Sequence, residues 1–191
     1  MQALKDRIRK EGKVLPGNII KVDGFLNHRV DVLFMRELAQ EFKKHFDLTG
    51  LTAVLTVEAS GIALATVCAE EFNVPLVFAK KAKSDNIEGG LYHSDIYSYT
   101  YKKKVTLLVS SQWLGLTDKV LIIDDFLANG EALRGLVEIV NKAGAELLGI
   151  GVAIEKGFQL GGQKFREQGI NLVSLAIVES ANETEIVFRE D

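Results

Sequence analysis

The feature that most constrains the fold of this chain is the alternation of short, unbroken apolar runs with amphipathic segments. Ala53-Val54-Leu55-Thr56-Val57 is rich in β-branched residues and has no charged position, the pattern of a strand covered on both faces. Leu76-Val77-Phe78-Ala79 after Pro75, Val105 to Val109, Val120 to Ile123, Leu147 to Ile154 and Leu172 to Val178 repeat it. Helical spacing lies between them: Ile62 to Phe72 is one such segment, and Ala132 to Asn141 carries Leu133, Leu136, Ile139 and Val140 before stopping near Gly144. Ahead of the first run, Asp31 can cap a helix whose Met35, Leu38, Phe42 and Phe46 share a face and which ends before Gly50. Strands buried on both faces need a layer on each side. The expected fold is therefore α/β, a mostly parallel sheet with right-handed crossovers and helices on both faces. In such sheets ligands bind beyond the carboxyl ends of the strands, so Glu58 to Gly61, Lys80 to Lys83, Asp124 to Gly130, and Glu155-Lys156 are expected on one edge.

Composition narrows the class further. A chain of 191 residues can hide roughly 70% of its unfolded surface, so neither disulfides nor a structural metal are needed for stability. Pro16 and Pro75 are the sole prolines and no repeat or low-complexity tract interrupts the pattern, which predicts one domain over residues 1–191. Cys68 has no partner for an internal bridge, and His28, His45 and His93 lie too far apart for metal-ligand spacing, which favours a reduced, cytoplasmic compartment. With 23 Lys+Arg against 26 Asp+Glu the formal charge is -3, unlike a dedicated nucleic-acid binder. The longest apolar stretch, Leu147 to Ile154, falls far short of the ~20 residues a membrane span needs. The charged opening Met-Gln-Ala-Leu-Lys-Asp-Arg-Ile-Arg-Lys lacks the apolar core of a secretory signal, so no membrane association is expected.

The strongest chemical signal is Val120 to Ala132. A buried strand runs into two adjacent carboxylates, Asp124 and Asp125, and then into a small-residue turn that opens a helix. Successive amides in such a turn, with the positive helix end behind them, form a nest for phosphate, and Gly130 permits close approach. The carboxylates suit vicinal sugar hydroxyls or a hydrated Mg²⁺. Phosphate, diol and metal together describe a phosphorylated ribose. No Gly-x-x-x-x-Gly-Lys-Ser/Thr occurs, which removes the P-loop ATPase reading, and Gly149-Ile150-Gly151 lacks the third glycine of a dinucleotide fingerprint and reads as strand packing. Glu58-Ala59-Ser60-Gly61 fits either a diphosphate-binding turn or an ordinary strand–helix connection. The Lys80–Lys83 run fits a diphosphate clamp or a solvated face, and Lys156 alone fits a surface lysine.

The thirteen-residue segment resembles the phosphoribosyl pyrophosphate signature of type I phosphoribosyltransferases. With the amino-terminal residues, Val14-Leu15-Pro16-Gly17, Phe25-Leu26-Asn27-His28 and Val57 to Ile62, the chain is similar along essentially its whole length to the bacterial, xanthine-using branch of that family. The resemblance implies the type I phosphoribosyltransferase fold with a small hood and a flexible loop. It implies transfer of the phosphoribosyl group from phosphoribosyl pyrophosphate to N9 of xanthine, a step of purine salvage. The rival readings are a preference for hypoxanthine or guanine, or a non-catalytic sensor of the sugar diphosphate. By the same resemblance, Asp124 and Asp125 are catalytic. Ala128, Asn129, Gly130, Glu131 and Ala132, with Glu58, Ala59, Ser60, Gly61 and Lys81, hold the sugar diphosphate. Ile20, where leucine is commoner, Asn27 and Lys156 face the base. Glu131 stands where glutamine is commoner, and a carboxylate is tolerable beside a phosphate only if it points away. Mg²⁺ is expected mainly on the diphosphate, without dedicated protein ligands, and the enzyme is expected as a homodimer. Lys83 to Lys104, with Gly89-Gly90 and several tyrosines, reads as a loop long enough to be functional or as an exposed hairpin. The resemblance makes it a mobile hood carrying Ser98 and Tyr99.

Overall fold

The described residues of the computed structural model are 1–81, 90–98 and 103–190. At the amino end, α1 (Gln2–Glu11) leads into a small hairpin of β1 (Lys13–Leu15) and β2 (Ile19–Lys21), a π-helical turn (Asp23–Asn27), and α2 (Val32–His45). The Asp31 carboxylate caps α2 by accepting from the Phe34 amide at 3.1 Å. The chain then alternates through β3 (Ala53–Val57), α3 (Ser60–Phe72), β4 (Leu76–Ala79), β5 (Leu91–Ser98), β6 (Lys103–Ser110) and β7 (Lys119–Leu127). It finishes with α4 (Glu131–Ala143), β8 (Glu146–Lys156), α5 (Gly161–Glu167), β9 (Leu172–Ala181) and β10 (Ile186–Phe188).

Six strands form the central sheet in the order β10-β9-β8-β7-β3-β4. All neighbours are parallel except β10, which runs antiparallel to β9. Burial on both faces explains the unbroken apolar runs. Along β7, Leu121 and Ile123 enter a core shared with α1, α2 and α3, whereas Val120 and Ile122 enter a second core under α4. Gly149 and Gly151 are indeed packing positions, because a Cβ on either would stand 2.7 Å from an atom of Phe46 or Ile123. The chain order turns at β3: β4 lies on one side of it and β7, β8 and β9 on the other. The crevice beyond the carboxyl ends of β3 and β7 is thus the switch point where an open α/β sheet binds ligands. No helix among the described residues is long and apolar enough to cross a membrane.

Two expectations are corrected. Val105 to Val109 is a strand, but it belongs to a separate antiparallel hairpin with β5 and not to the parallel sheet. Val105, Leu107 and Val109 are buried while Thr106 and Leu108 are only half-buried, so this strand has one core face where a central strand has two. Within Lys83–Lys104 the described stretches, Leu91–Ser98 and the start of β6, are therefore paired strand as in the hairpin reading, with β5 laid against α4 and Ile96 buried. Tyr99, the Ser98 side chain and residues 83–89 lie outside the described residues.

Candidate active site

Glu58, Ser60, Lys81, Asp124, Asp125 and the turn from Ala128 to Ala132 converge on one cleft of about 230 Å³ at the switch point. Asp124 and Asp125 lie inside β7 and not past its end, since pairing with β8 continues to Leu127. The turn then enters α4 through Gly130, whose φ of 84° is a left-handed conformation that glycine adopts without penalty. The helix therefore begins at Glu131, and its first residues, Glu131 to Leu133, line the cleft. Glu131 itself turns aside: its carboxylate takes the Arg134 guanidinium at 3.2 Å and leans toward the Tyr97 amide. The carboxylate is thus engaged with Arg134 while Glu131 remains in the lining of the cleft.

Both acidic residues are almost wholly buried, yet their surroundings differ. Asp125 accepts from the Ser60 hydroxyl and from the Asn27 amide, each at 3.0 Å, so residues from three distant stretches meet on one carboxylate. Asp124 accepts from the Asp125 backbone amide at 3.0 Å. Burial, then the neighbouring Asp125 charge, pushes the Asp124 carboxyl well above the usual carboxylate range, with Lys81 opposing. Gly61 is demanded here, because a Cβ would stand 2.4 Å from Thr56 Oγ1 and 2.5 Å from Asp124 Oδ1. The Thr56 hydroxyl is buried without a hydrogen-bond partner, a polar atom beside the acid pair that no sequence signal singled out.

The raised Asp124 value has a thermodynamic sign. The folded state binds this proton more tightly than the unfolded state, so the associated stability is fully present below about 3.8 and is lost as pH rises through the raised folded value. Asp124→Asn, which keeps the acceptor for the Asp125 amide, is expected to raise the thermal midpoint at neutral pH and to flatten its decline between acid and neutral pH. Parallel melting curves of wild type and variant across that range check this; curves that fall alike assign the decline to other groups.

The diphosphate side is less direct than the sequence suggested. Ala59 is exposed in the turn between β3 and α3, and Gly61 is buried behind it. Glu58 accepts from the Lys81 amide at 2.6 Å, tying the first turn to the end of β4. None of the residues expected at the base lines the cleft; Asn27 ends the π-helical turn and reaches the site through Asp125. The Lys156 ammonium donates to the Asn18 carbonyl at 3.1 Å, and burial lowers its pKa. Ile20 of β2 is 6% exposed, packed in the core and not among the residues lining the cleft, so it offers little surface to a ligand. Ile96 and Tyr97 of β5 wall the cleft, a contribution the sequence did not signal because their segment read as loop.

A doubly wound sheet whose switch point joins an acid pair to a small-residue turn opening a helix is the arrangement expected of enzymes handling phosphorylated sugars, and comparison with known proteins agrees. Residues 33–170 match the family model described as "Phosphoribosyl transferase domain". The chain belongs to the phosphoribosyltransferase family. More particularly, it is 54% identical to the xanthine phosphoribosyltransferase of Lachnoclostridium phytofermentans, over all of both chains. It is 52% identical to that of Bifidobacterium animalis subsp. lactis, over 94% of each. Among solved structures it resembles the adenine phosphoribosyltransferase of Giardia lamblia complexed with 9-deazaadenine, with a TM-score of 0.77 and 25% identity over 93% of this chain and 98% of that one. The adenine enzyme of Rhodothermus marinus shares the fold at 17% identity, with a TM-score of 0.73 over 93% of this chain and all of that one.

Proposed function

We propose that this chain is a xanthine phosphoribosyltransferase: it transfers the 5-phosphoribosyl group of phosphoribosyl pyrophosphate to N9 of xanthine, releasing pyrophosphate and forming xanthosine 5′-monophosphate. The observation that carries this reading is the convergence at one switch point of the acid pair, the Gly130 turn and Lys81, in a chain about half identical to xanthine enzymes over its whole length. In the reaction the C1′–oxygen bond to diphosphate breaks, the N9–C1′ bond forms, and N9 loses its proton. Positive charge builds on the ribose ring as the leaving group departs, and the Asp125 carboxylate opposes it without forming a bond. The amides of Ala128 to Ala132 hold the 5′-phosphate, and Lys81 offsets charge on the departing pyrophosphate. Asp124 and Asp125 would offer hard oxygen acceptors to the waters of a hydrated Mg²⁺, which would supply positive charge against the diphosphate. Lys156 and the Asn27 amide are donors that suit a base with two exocyclic oxygens. The buried lone thiol of Cys68, whose pKa burial pushes up, is consistent with work in the cytoplasm.

Nucleotide formation from phosphoribosyl pyrophosphate with xanthine, guanine, hypoxanthine, adenine and uracil in turn tests the reading. Xanthine is expected to give the highest kcat/KM. A higher value for guanine or hypoxanthine would reassign the base, and no product with any base would leave only a sensor of the sugar diphosphate.

The partner in this reading is a second copy. Val30, Val32 and Leu33 present apolar surface at 38, 52 and 73% exposure around the start of α2. Light scattering at micromolar concentration is expected to give about twice 21.0 kDa, falling to the single-chain mass in Leu33→Glu. A fully active wild-type monomer would contradict the pairing.

A further inference from the structure

Successive side chains of a strand point to opposite faces, and the last two residues of β8 divide the site accordingly. Lys156 reaches the β1–β2 turn at Asn18, whereas Glu155 turns inward and is 2% exposed. The Glu155 carboxylate takes the Arg166 guanidinium as a fork, at 2.8 and 2.7 Å, and also accepts from the Ser174 hydroxyl of β9. Burial by itself would raise the Glu155 pKa; Arg166 and Ser174 outweigh it and hold the carboxyl below its ordinary value. A bidentate pair fixes direction as well as distance, and the element it fixes is α5.

The first two residues of α5 make approaches that a side chain would forbid. A Cβ on Gly162 would stand 2.0 Å from Glu155 Oε1, and one on Gly161 would stand 2.2 Å from the Ala128 carbonyl oxygen. Phe165, buried in the same helix, lies 3.0 Å from where a Cβ on Gly130 would sit. α5 is therefore wedged between the end of β8 and the phosphate turn. The ion pair is absent from the residues lining the cleft.

We propose that Glu155 and Arg166 are positioning residues: their pair seats α5 against Ala128–Gly130, so that the phosphate turn is preformed for the sugar diphosphate while the same strand end presents Lys156 to the base. This rests on the active-site reading above. Glu155 is buried whereas the Arg166 side chain is 36% exposed. Removing Arg166 alone therefore strands a buried carboxylate and is costly to stability, while neutralising both removes that charge and is often neutral or favourable. That asymmetry separates positioning from stability.

The experiment compares wild type with Arg166→Lys, Arg166→Met and the double variant Glu155→Gln/Arg166→Met. Thermal midpoint, kcat and KM for phosphoribosyl pyrophosphate are measured, with calorimetric Kd for its Mg²⁺ complex. Arg166→Met is expected to lose thermal stability and to raise the KM about tenfold, with kcat changed by less than about threefold. Arg166→Lys keeps the charge but loses the fork, so its midpoint is expected near wild type with KM still raised. The double variant is expected to recover the midpoint but not KM or Kd. Recovery of both together, or a wild-type KM in Arg166→Lys, would overturn the proposal and leave the pair a purely structural one. If wild type forms no nucleotide, the activity reading fails separately, because calorimetric Kd still reports on the wedge. Should Arg166→Met not fold, the lysine and double variants carry the test.

Discussion

Replacing Asp125 by asparagine is expected to leave the fold intact and to lower kcat by roughly 10²-fold, with a smaller effect on binding of the sugar diphosphate. The side chain keeps its shape, and its remaining carbonyl oxygen still accepts from either the Ser60 hydroxyl or the Asn27 amide, each 3.0 Å from the carboxylate now. What is lost is negative charge facing a ribose ring that becomes cationic as pyrophosphate leaves. An interaction that grows only in the transition state is read in kcat, whereas uniform binding is read in KM. Steady-state kinetics, with circular dichroism to confirm folding, gives the answer. A kcat within about threefold of wild type would remove Asp125 from the chemistry. Asp124→Asn is expected to lose turnover too, although it gains stability at neutral pH.

Lys156→Ala is expected to reduce xanthine use far more than hypoxanthine use. Xanthine carries a second exocyclic oxygen and ionises more readily, so it has more to gain from an ammonium donor. A hydrogen bond to a charged group contributes about 1.5–3 kcal/mol, which is about 10- to 150-fold in the ratio of kcat/KM values. In the free protein the ammonium donates to the Asn18 carbonyl, so the base exchanges one acceptor for another and the lower part of that range is the better expectation. Competition between the bases at limiting concentration measures the ratio directly. Equal losses for both would make Lys156 a tie between β8 and the β1–β2 turn.

Most of the sheet was legible because a parallel strand buried on both faces leaves an unbroken apolar run, as at Ala53–Val57 and Val120–Ile123. The hairpin of β5 and β6 was legible only in part: Val105–Val109 read as a strand and a hairpin was one of two readings of Lys83–Lys104, because β5 mixes Tyr92, His93, Ser94 and Asp95 with apolar neighbours and blurs the strand period. α5 has only seven residues and begins with two glycines, which propensity disfavours. Its helix is decided by contacts to Glu155 and the phosphate turn.

By itself the sequence determined the α/β alternation, the phosphate turn and the acid pair, because each is local: a run of adjacent residues carries the whole physical requirement. Only the tertiary structure decided that Asn27 and Ser60 close on Asp125 across separations of 98 and 65 residues. It likewise decided that Glu131 turns to Arg134, that burial raises the Asp124 pKa, and that α5, tied to Glu155 through Arg166, packs against the turn at Ala128–Gly130. Burial and the approach of distant groups set those properties, and neither is encoded in the spacing of neighbours along the chain.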